Sequence, residues 1–193
     1  MEQANILIAG VGGQGILLSG KLLGNYAQIK GKDIKVSEVH GMAQRGGGVV
    51  TNVRFGDRVY APLVEEGSCD ALISFEPLET LRWIHYVRPE GIVVSAVERI
   101  LPLPVAMGNA VYPDDVLEQI RVRFPDALLI DTKEATEKIG NPRTMNVILM
   151  GAFAKKVGLD LAAMEEALRL SIKPKLLDIN IQALELGYAL AQQ

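Results

Sequence analysis

Glycines at positions 10, 12 and 15 separate a short apolar run from a stretch with helical spacing. This pattern permits a tight turn and close backbone approach, and the N-terminus of the following helix offers N–H groups to an anion such as a pyrophosphate. The alternative is that the glycines only allow close packing of a strand on a helix. A dinucleotide site also needs an acidic residue about 20 positions later to bind ribose. Glu38 comes late for that role, and Asp33 precedes the second strand.

A second glycine-rich loop follows that strand and concentrates polar side chains at Glu38, His40, Gln44 and Arg45. The carboxyl ends of strands are where doubly wound folds bind ligands. The Arg45 guanidinium is suited to bidentate binding of a phosphate or carboxylate. The alternatives are an ordinary connecting loop, with His40 bonded to a backbone carbonyl and Arg45 in solvent.

Two further polar clusters lie at predicted helix starts. Glu76 follows a buried strand and precedes a proline, where an acid is favourable for the helix dipole alone, or where it serves a site. Asn141 is predicted to cap a helix, and Arg143 or Asn146 is then placed to face a ligand or a subunit.

Composition excludes several chemistries. The single cysteine, Cys69, forms no internal disulfide, and an iron–sulfur cluster needs about four thiolates. With His40 and His85 as the only histidines, a structural zinc site is nearly excluded, so no metal site is predicted. Neither a serine nucleophile elbow nor a P-loop occurs, and no complete catalytic set is evident. A net charge of −3 argues against nucleic acid as a partner. The chain shows no signal peptide and no membrane-spanning run, so a cytoplasmic protein without a membrane partner is expected.

The pattern of apolar runs and glycine or proline breaks predicts a single α/β domain over residues 1–193. The expected architecture is a Rossmann-like three-layer domain with a mainly parallel sheet, an antiparallel hairpin and C-terminal helices. The first 38 residues are predicted to form a β-α-β unit, and Gly56-Asp57 to form the hairpin turn. Predicted strands cover residues 5–9, 34–38, 49–55, 58–61, 70–75, 91–96 and 127–130. Predicted helices cover residues 16–30, 77–87, 141–157, 160–170 and 174–191, and residues 102–111 are irregular or an edge strand.

The chain resembles the gamma component of 2-oxoacid:ferredoxin oxidoreductases in four motifs: Gly10-Val-Gly-Gly-Gln-Gly15, Ser37-Glu-Val-His-Gly-Met-Ala-Gln-Arg-Gly-Gly47, Phe75-Glu-Pro-Leu-Glu79 and Gly140-Asn141. The second motif is most similar to the beta subunit of the indolepyruvate branch of that family. The similarity runs in order over residues 5 to about 150, whereas the C-terminal helices agree only in general character.

The resemblance implies a pyruvate-ferredoxin-oxidoreductase gamma-like domain (domain III), the small subunit of an enzyme that decarboxylates a 2-oxoacid to an acyl-coenzyme A. Thiamine diphosphate and iron–sulfur clusters are then expected on a partner alpha subunit, which passes electrons to ferredoxin. The small subunit is expected to cover that active site and to assist coenzyme A, to be inactive when isolated, and to form a homodimer if its partner is missing. The residues that the resemblance places on the cofactor-facing surface are Gly10, Gly12, Gly13, Gln14, Gly15, Glu38, His40, Gln44, Arg45, Gly46 and Gly47.

Three other interpretations stay open. A non-catalytic nucleotide-sensing module is one. Another is a stand-alone nicotinamide dehydrogenase, which the late acidic residue and the missing catalytic set disfavour. The third is an adenylating enzyme with a similar glycine turn. Such enzymes commonly add a zinc-binding cysteine set or a nucleophilic cysteine, and this chain has neither.

Overall fold

A six-stranded mixed sheet organises the computed structural model, which describes residues 2–40 and 47–191. The strands are β1 (Ala4–Val11), β2 (Asp33–His40), β3 (Gly48–Gly56), β4 (Cys69–Ser74), β5 (Val87–Ala96) and β6 (Leu128–Ile130). Their order in the sheet is β2-β3-β1-β4-β5-β6. β3 runs antiparallel to both of its neighbours, and the other adjacent pairs are parallel.

Helices cover both faces of this sheet, as the alternation of buried side chains along β1 requires. The helices are α1 (Ile16–Ile29), α2 (Pro77–Trp83), α3 (Leu103–Ala106), α4 (Val116–Arg123), α5 (Thr132–Ile139), α6 (Met145–Val157), α7 (Leu161–Ser171) and α8 (Leu177–Leu190). Ile6 and Ile8 belong to one apolar cluster with α1, α6, α7 and α8, whereas Leu7 and Ala9 belong to a second cluster with α2 and α4. The three-layer α/β arrangement expected from the sequence is therefore confirmed.

The larger helical layer is held by a close crossing of α6 and α8. Gly151 and Gly187 face the partner helix, and a Cβ atom added at either would overlap a backbone carbonyl oxygen, that of Leu184 or of Ile148. The two backbones therefore touch directly. In the described residues 2–40 and 47–191, none of the helices has the length and apolar character needed to span a bilayer.

The predicted hairpin at Gly56-Asp57 is wrong. β3 pairs with β1 on one side and with β2 on the other, so residues 58–61 cannot pair with β3, and they form no strand. The antiparallel pairs are instead β2–β3 and β3–β1. The predicted β-α-β unit is also corrected: β1 and β2 run in the same direction, but β3 lies between them.

Two other predicted boundaries shift. The helix expected over residues 77–87 ends at Trp83, continues as a 3-10 turn to Tyr86, and gives way to β5 at Val87 because Val87 pairs with Cys69. The irregular segment 102–111 contains the one-turn helix α3. Both helices predicted to open with proline near residues 142 and 174 begin with a 3-10 turn.

Candidate functional site

The carboxyl ends of β1 and β4 meet at one edge of the sheet, and Gln14 joins them. Its Oε1 accepts a hydrogen bond of 2.7 Å from the Val11 N–H, and its Nε2 donates one of 2.7 Å to the Phe75 carbonyl oxygen. An added Cβ at Gly10 would lie 2.8 Å from the Gln14 Oε1, so a side chain there would displace this carboxamide. Both ends of the Gln14 carboxamide are thus used in bracing the turn.

The glycine turn leaves backbone donors open at this edge. Gly13 and Gly15 have positive φ angles of 101° and 86°, and within the described residues their N–H groups have no hydrogen-bond acceptor. The Gly12 N–H, by contrast, donates to the Gly47 carbonyl oxygen at 3.0 Å. Gly15 also lies directly on Asn146, which donates to the Gly15 carbonyl oxygen at 3.4 Å. This contact ties the start of α1 to the start of α6.

An open groove of about 510 Å³ lies beside these donors. Its floor is the glycine turn, and its walls come from three separate parts of the chain. Arg143 lines this groove with an exposed side chain, and its backbone N–H donates to the Asn141 side chain that caps the 3-10 turn, at 3.0 Å. The groove is lined by Gly13, Gln14, Gly15, Leu18, Ile100, Pro142, Arg143, Met145 and Asn146. A cation, free N–H groups and apolar walls suit an anion with an apolar extension.

The second glycine-rich loop is described only at its ends. Glu38 is exposed on β2, opposite Thr51 of β3. Because β3 intervenes, β2 lies two strand spacings, about 10 Å, from β1, so Glu38 does not occupy the ribose-binding position of a dinucleotide fold. Gln44, Arg45 and Gly46, together with the side chain of His40, lie outside the described residues.

Glu76 is almost completely buried, with 1% of its surface exposed, and its carboxylate meets three donors. Oε2 accepts from the Glu79 N–H at 2.9 Å and so caps α2. Oε1 accepts from the Tyr112 hydroxyl at 2.6 Å and from the Ile100 N–H at 3.4 Å. Burial and the Glu76 carboxylate raise the pKa of Tyr112. The interpretation of Glu76 as a helix-terminal acid is thus correct but incomplete.

Glu79 lies one turn further along α2, against the start of β3. Its Oε1 pairs with the Arg82 Nε at 3.2 Å, whereas its buried Oε2 has no partner among the described residues. An added Cβ at Gly48 would lie 2.7 Å from that Oε2. Burial raises the pKa of Glu79.

The remaining candidates are structural. Cys69 is buried, and burial raises the pKa of its thiol to about 12, so it is the packed thiol that the sequence predicts. His85 lies in the 3-10 turn after α2, with its ring 4.8 Å from that of Tyr86. Across the described part of the chain, His, Cys, Asp and Glu side chains form no group able to hold a metal ion.

Sequence reasoning missed Ile100 and Tyr112, which come from the irregular segment between β5 and α4. Their local sequence resembles no motif. The available signal was that residues 100–113 contain no charged residue, although charged residues make up 22% of the chain.

Comparison with known proteins gives a consistent result. The family model for pyruvate ferredoxin/flavodoxin oxidoreductase matches residues 5–190. The chain is 42% identical to the indolepyruvate oxidoreductase subunit IorB of Pyrococcus horikoshii, over 100% of this chain and 98% of that protein. It is 37% identical to the IorB subunit of Archaeoglobus fulgidus, over 95% and 93%. The resemblance seen in the motifs is thereby confirmed.

Solved structures agree on the fold. The gamma subunit of a keto/oxoacid ferredoxin oxidoreductase from Geobacter sulfurreducens superposes with a TM-score of 0.73 at 20% identity, over 98% of both chains. A 2-oxoglutarate:ferredoxin oxidoreductase from Magnetococcus marinus, solved with 2-oxoglutarate, coenzyme A and succinyl-CoA bound, gives 0.75 at 19% identity. All of this chain then matches only 31% of that longer chain.

Proposed function

Because the chain belongs to the pyruvate ferredoxin/flavodoxin oxidoreductase family, we propose that it is the small subunit of an enzyme for aryl 2-oxoacids of the indolepyruvate type. That enzyme decarboxylates the 2-oxoacid oxidatively, passes the electrons to ferredoxin and releases an acyl-coenzyme A. The relatives named IorB, which this chain matches along nearly its whole length, support the substrate class.

In this proposal the redox and thiamine chemistry belongs to the partner alpha subunit. A cluster needs about four thiolates, and this chain offers one buried cysteine with a raised pKa. The small subunit acts as one gamma-type domain in the cytoplasm. It covers the active site with its glycine edge, the surface formed by the turn of residues 10–15 and the groove beside it. Alone, it is inactive and pairs with a second copy. The placement of His40, Gln44, Arg45 and Gly46 on that edge stays a prediction from the sequence.

The observation that carries the coenzyme A assignment is the groove beside the glycine turn. Coenzyme A combines phosphates with a long, weakly polar pantetheine arm. The N–H groups of Gly13 and Gly15, which have no acceptor in residues 2–40 and 47–191, and the Arg143 guanidinium supply donors for phosphate. Leu18 and Met145 supply apolar contact. The groove thus holds coenzyme A so that its thiol reaches the partner's active site.

The test is an Arg143→Ala variant reconstituted with its alpha subunit. Loss of one charge-assisted contact is expected to raise the KM for coenzyme A at least fivefold, with kcat within twofold and the KM for the 2-oxoacid unchanged. Arg123→Ala is the matched control. Arg123 is also exposed, but it lines a different cleft, beside the amino end of β5 and away from the carboxyl ends of β1 and β4. An unchanged KM for coenzyme A in Arg143→Ala contradicts the assignment.

A further inference from the structure

We infer that Glu76 is a positioning residue whose carboxylate holds the segment 98–112 against the glycine edge, so that Ile100 forms a wall of the groove. The segment joins β5 to α4. The inference deepens the proposed function, because the importance of that wall rests on coenzyme A binding in the groove.

The contacts of Glu76 exceed what a helix cap needs. Capping uses only Oε2, which accepts from Glu79 within the first turn of α2. Oε1 reaches two donors far along the chain, the Tyr112 hydroxyl at 2.6 Å and the Ile100 N–H at 3.4 Å. One buried carboxylate therefore binds both ends of the segment at once.

The residue type supports this interpretation. Helix N-caps favour Ser, Thr, Asp and Asn, whose short side chains reach the N–H groups of the first turn. The caps of α5 and α7 follow that rule, with Asp131 and Asp160. A glutamate at the cap of α2 is longer by one methylene, and that length lets its second oxygen reach Tyr112. The contact with Tyr112 in the segment, and not the capping of α2, thus explains why residue 76 is a glutamate.

The middle of the segment makes few buried contacts. Its only regular structure is α3, a single turn, and none of the α3 residues is buried. The apolar side chains of Leu101, Leu103 and Met107 are mostly exposed, at 54%, 66% and 65%. Apolar packing is limited to Val105 and Tyr112, which contact the cluster around Leu7 and Ala9. The Arg99 guanidinium also donates to the Asp114 carbonyl oxygen at 2.9 Å. Between these points the path of the segment depends on its anchored ends.

A chain of contacts connects the anchor to the groove. Gln14 of the glycine turn donates to the Phe75 carbonyl, and Phe75 directly precedes Glu76. Glu76 in turn accepts from the Ile100 N–H, and Ile100 lines the groove together with Gly13 and Gln14. Outside the groove, the Arg99 guanidinium lies 5.0 Å from the centre of the Tyr112 ring, which adds a second hold on the segment.

The experiment uses two variants in the enzyme assembled with its alpha subunit. Glu76→Asp keeps a favourable helix cap but is too short to reach Tyr112, and Tyr112→Phe removes only the hydroxyl. Tyr26→Phe is the matched control, because the buried Tyr26 hydroxyl also holds a distant backbone N–H, that of Asp160, on the α7 side of the molecule.

Two measurements separate this inference from the proposed function. Hydrogen exchange in residues 99–107 is expected to speed up at least tenfold in both variants, and the KM for coenzyme A to rise at least threefold with kcat within twofold. Tyr26→Phe is expected to change neither. Unchanged exchange in these residues overturns the inference. So does faster exchange with an unchanged KM, if Arg143→Ala does raise that KM. If no variant, Arg143→Ala included, alters the KM for coenzyme A, the proposed function fails, and the anchor itself is judged by exchange alone.

Discussion

Glycines are required for different reasons at the α6–α8 crossing and at the glycine edge. Gly151 and Gly187 are surrounded, and any side chain there would overlap the backbone of the facing helix. Gly13 is open: among the described residues no atom lies within 4 Å of an added Cβ, but its φ of 101° is one that other residues rarely adopt. Gly151 and Gly187 allow two helices to touch. Gly13 allows a turn whose backbone conformation suits only glycine.

The difference separates what holds the fold from what meets a partner or a ligand. The crossing is made of backbone and aliphatic contacts, so its residues tolerate no added volume. The glycine edge exposes hydrogen-bond donors, the Arg143 side chain and apolar walls. Substitutions there are expected to affect stability less than they affect coenzyme A binding.

The largest effect is expected from Gly187→Ala. The new methyl would overlap the Ile148 carbonyl oxygen, so α6 and α8 must separate, at a cost of about 3 kcal/mol or more in the free energy of unfolding. Gly24→Ala is the control: Gly24 lies inside α1 with open space around it, and alanine there is expected to stabilise by about 0.5–1 kcal/mol. Denaturant unfolding measures both. Equal stabilities of the two variants would show that the crossing is not close.

At the edge, Gly13→Ala is expected to cost only about 1–2 kcal/mol of stability, because the penalty is backbone strain without a clash. The same change is expected to raise the KM for coenzyme A at least fivefold, because a changed backbone conformation at Gly13 moves the N–H donors of the turn. Gly31→Ala is the matched control, because Gly31 also has a positive φ, 69°, and open space around it among the described residues, but it lies at the other end of α1. A rise in KM in both variants, or in neither, removes the functional distinction between the two turns.

A smaller effect concerns Glu79, the buried acid at the edge. Because burial raises its pKa above the ordinary value of 4.5, the folded state binds the proton more tightly than the unfolded state does. The stability of the wild-type protein therefore falls as the pH rises through 4.5, and this loss is complete once the pH exceeds the raised pKa. Glu79→Gln lacks this loss, so its stability relative to wild type should increase between about pH 4 and pH 7. Thermal melts across that range measure the difference, and a constant difference contradicts the prediction.

The smallest effect lies in the core. Cys69 is buried and its pKa of about 12 leaves almost no thiolate at about pH 8, so iodoacetamide should not label the native protein. Labelling should become complete in guanidinium chloride. Rapid labelling of the folded chain would mean that the sheet opens at β4.

The sequence predicted most of the elements because their patterns are local. The strand–glycine turn–helix start, the apolar β4 and the caps at Asn141 and Asp160 all depend on residues a few positions apart. The misplaced hairpin shows the limit. Gly56-Asp57 is a good turn signal, but β3 already has partners on both edges, and strand pairing is decided by residues far apart in the chain.

The site was predicted in part for the same reason. Gly13, Gly15 and Arg143 were found from local motifs, although nothing in the sequence placed them around one groove. The roles of Ile100 and Tyr112 depend on contacts with Glu76 across 24 and 36 residues, and such pairings leave no periodic signal.

Hydrogen exchange of the assembled enzyme with and without coenzyme A tests the central claim most directly. If the groove binds coenzyme A, exchange should slow in residues 13–19 and 142–148, while residues 123–127 at the opposite edge exchange as before. Protection confined to the alpha subunit, with residues 13–19 and 142–148 unaffected, would contradict the account.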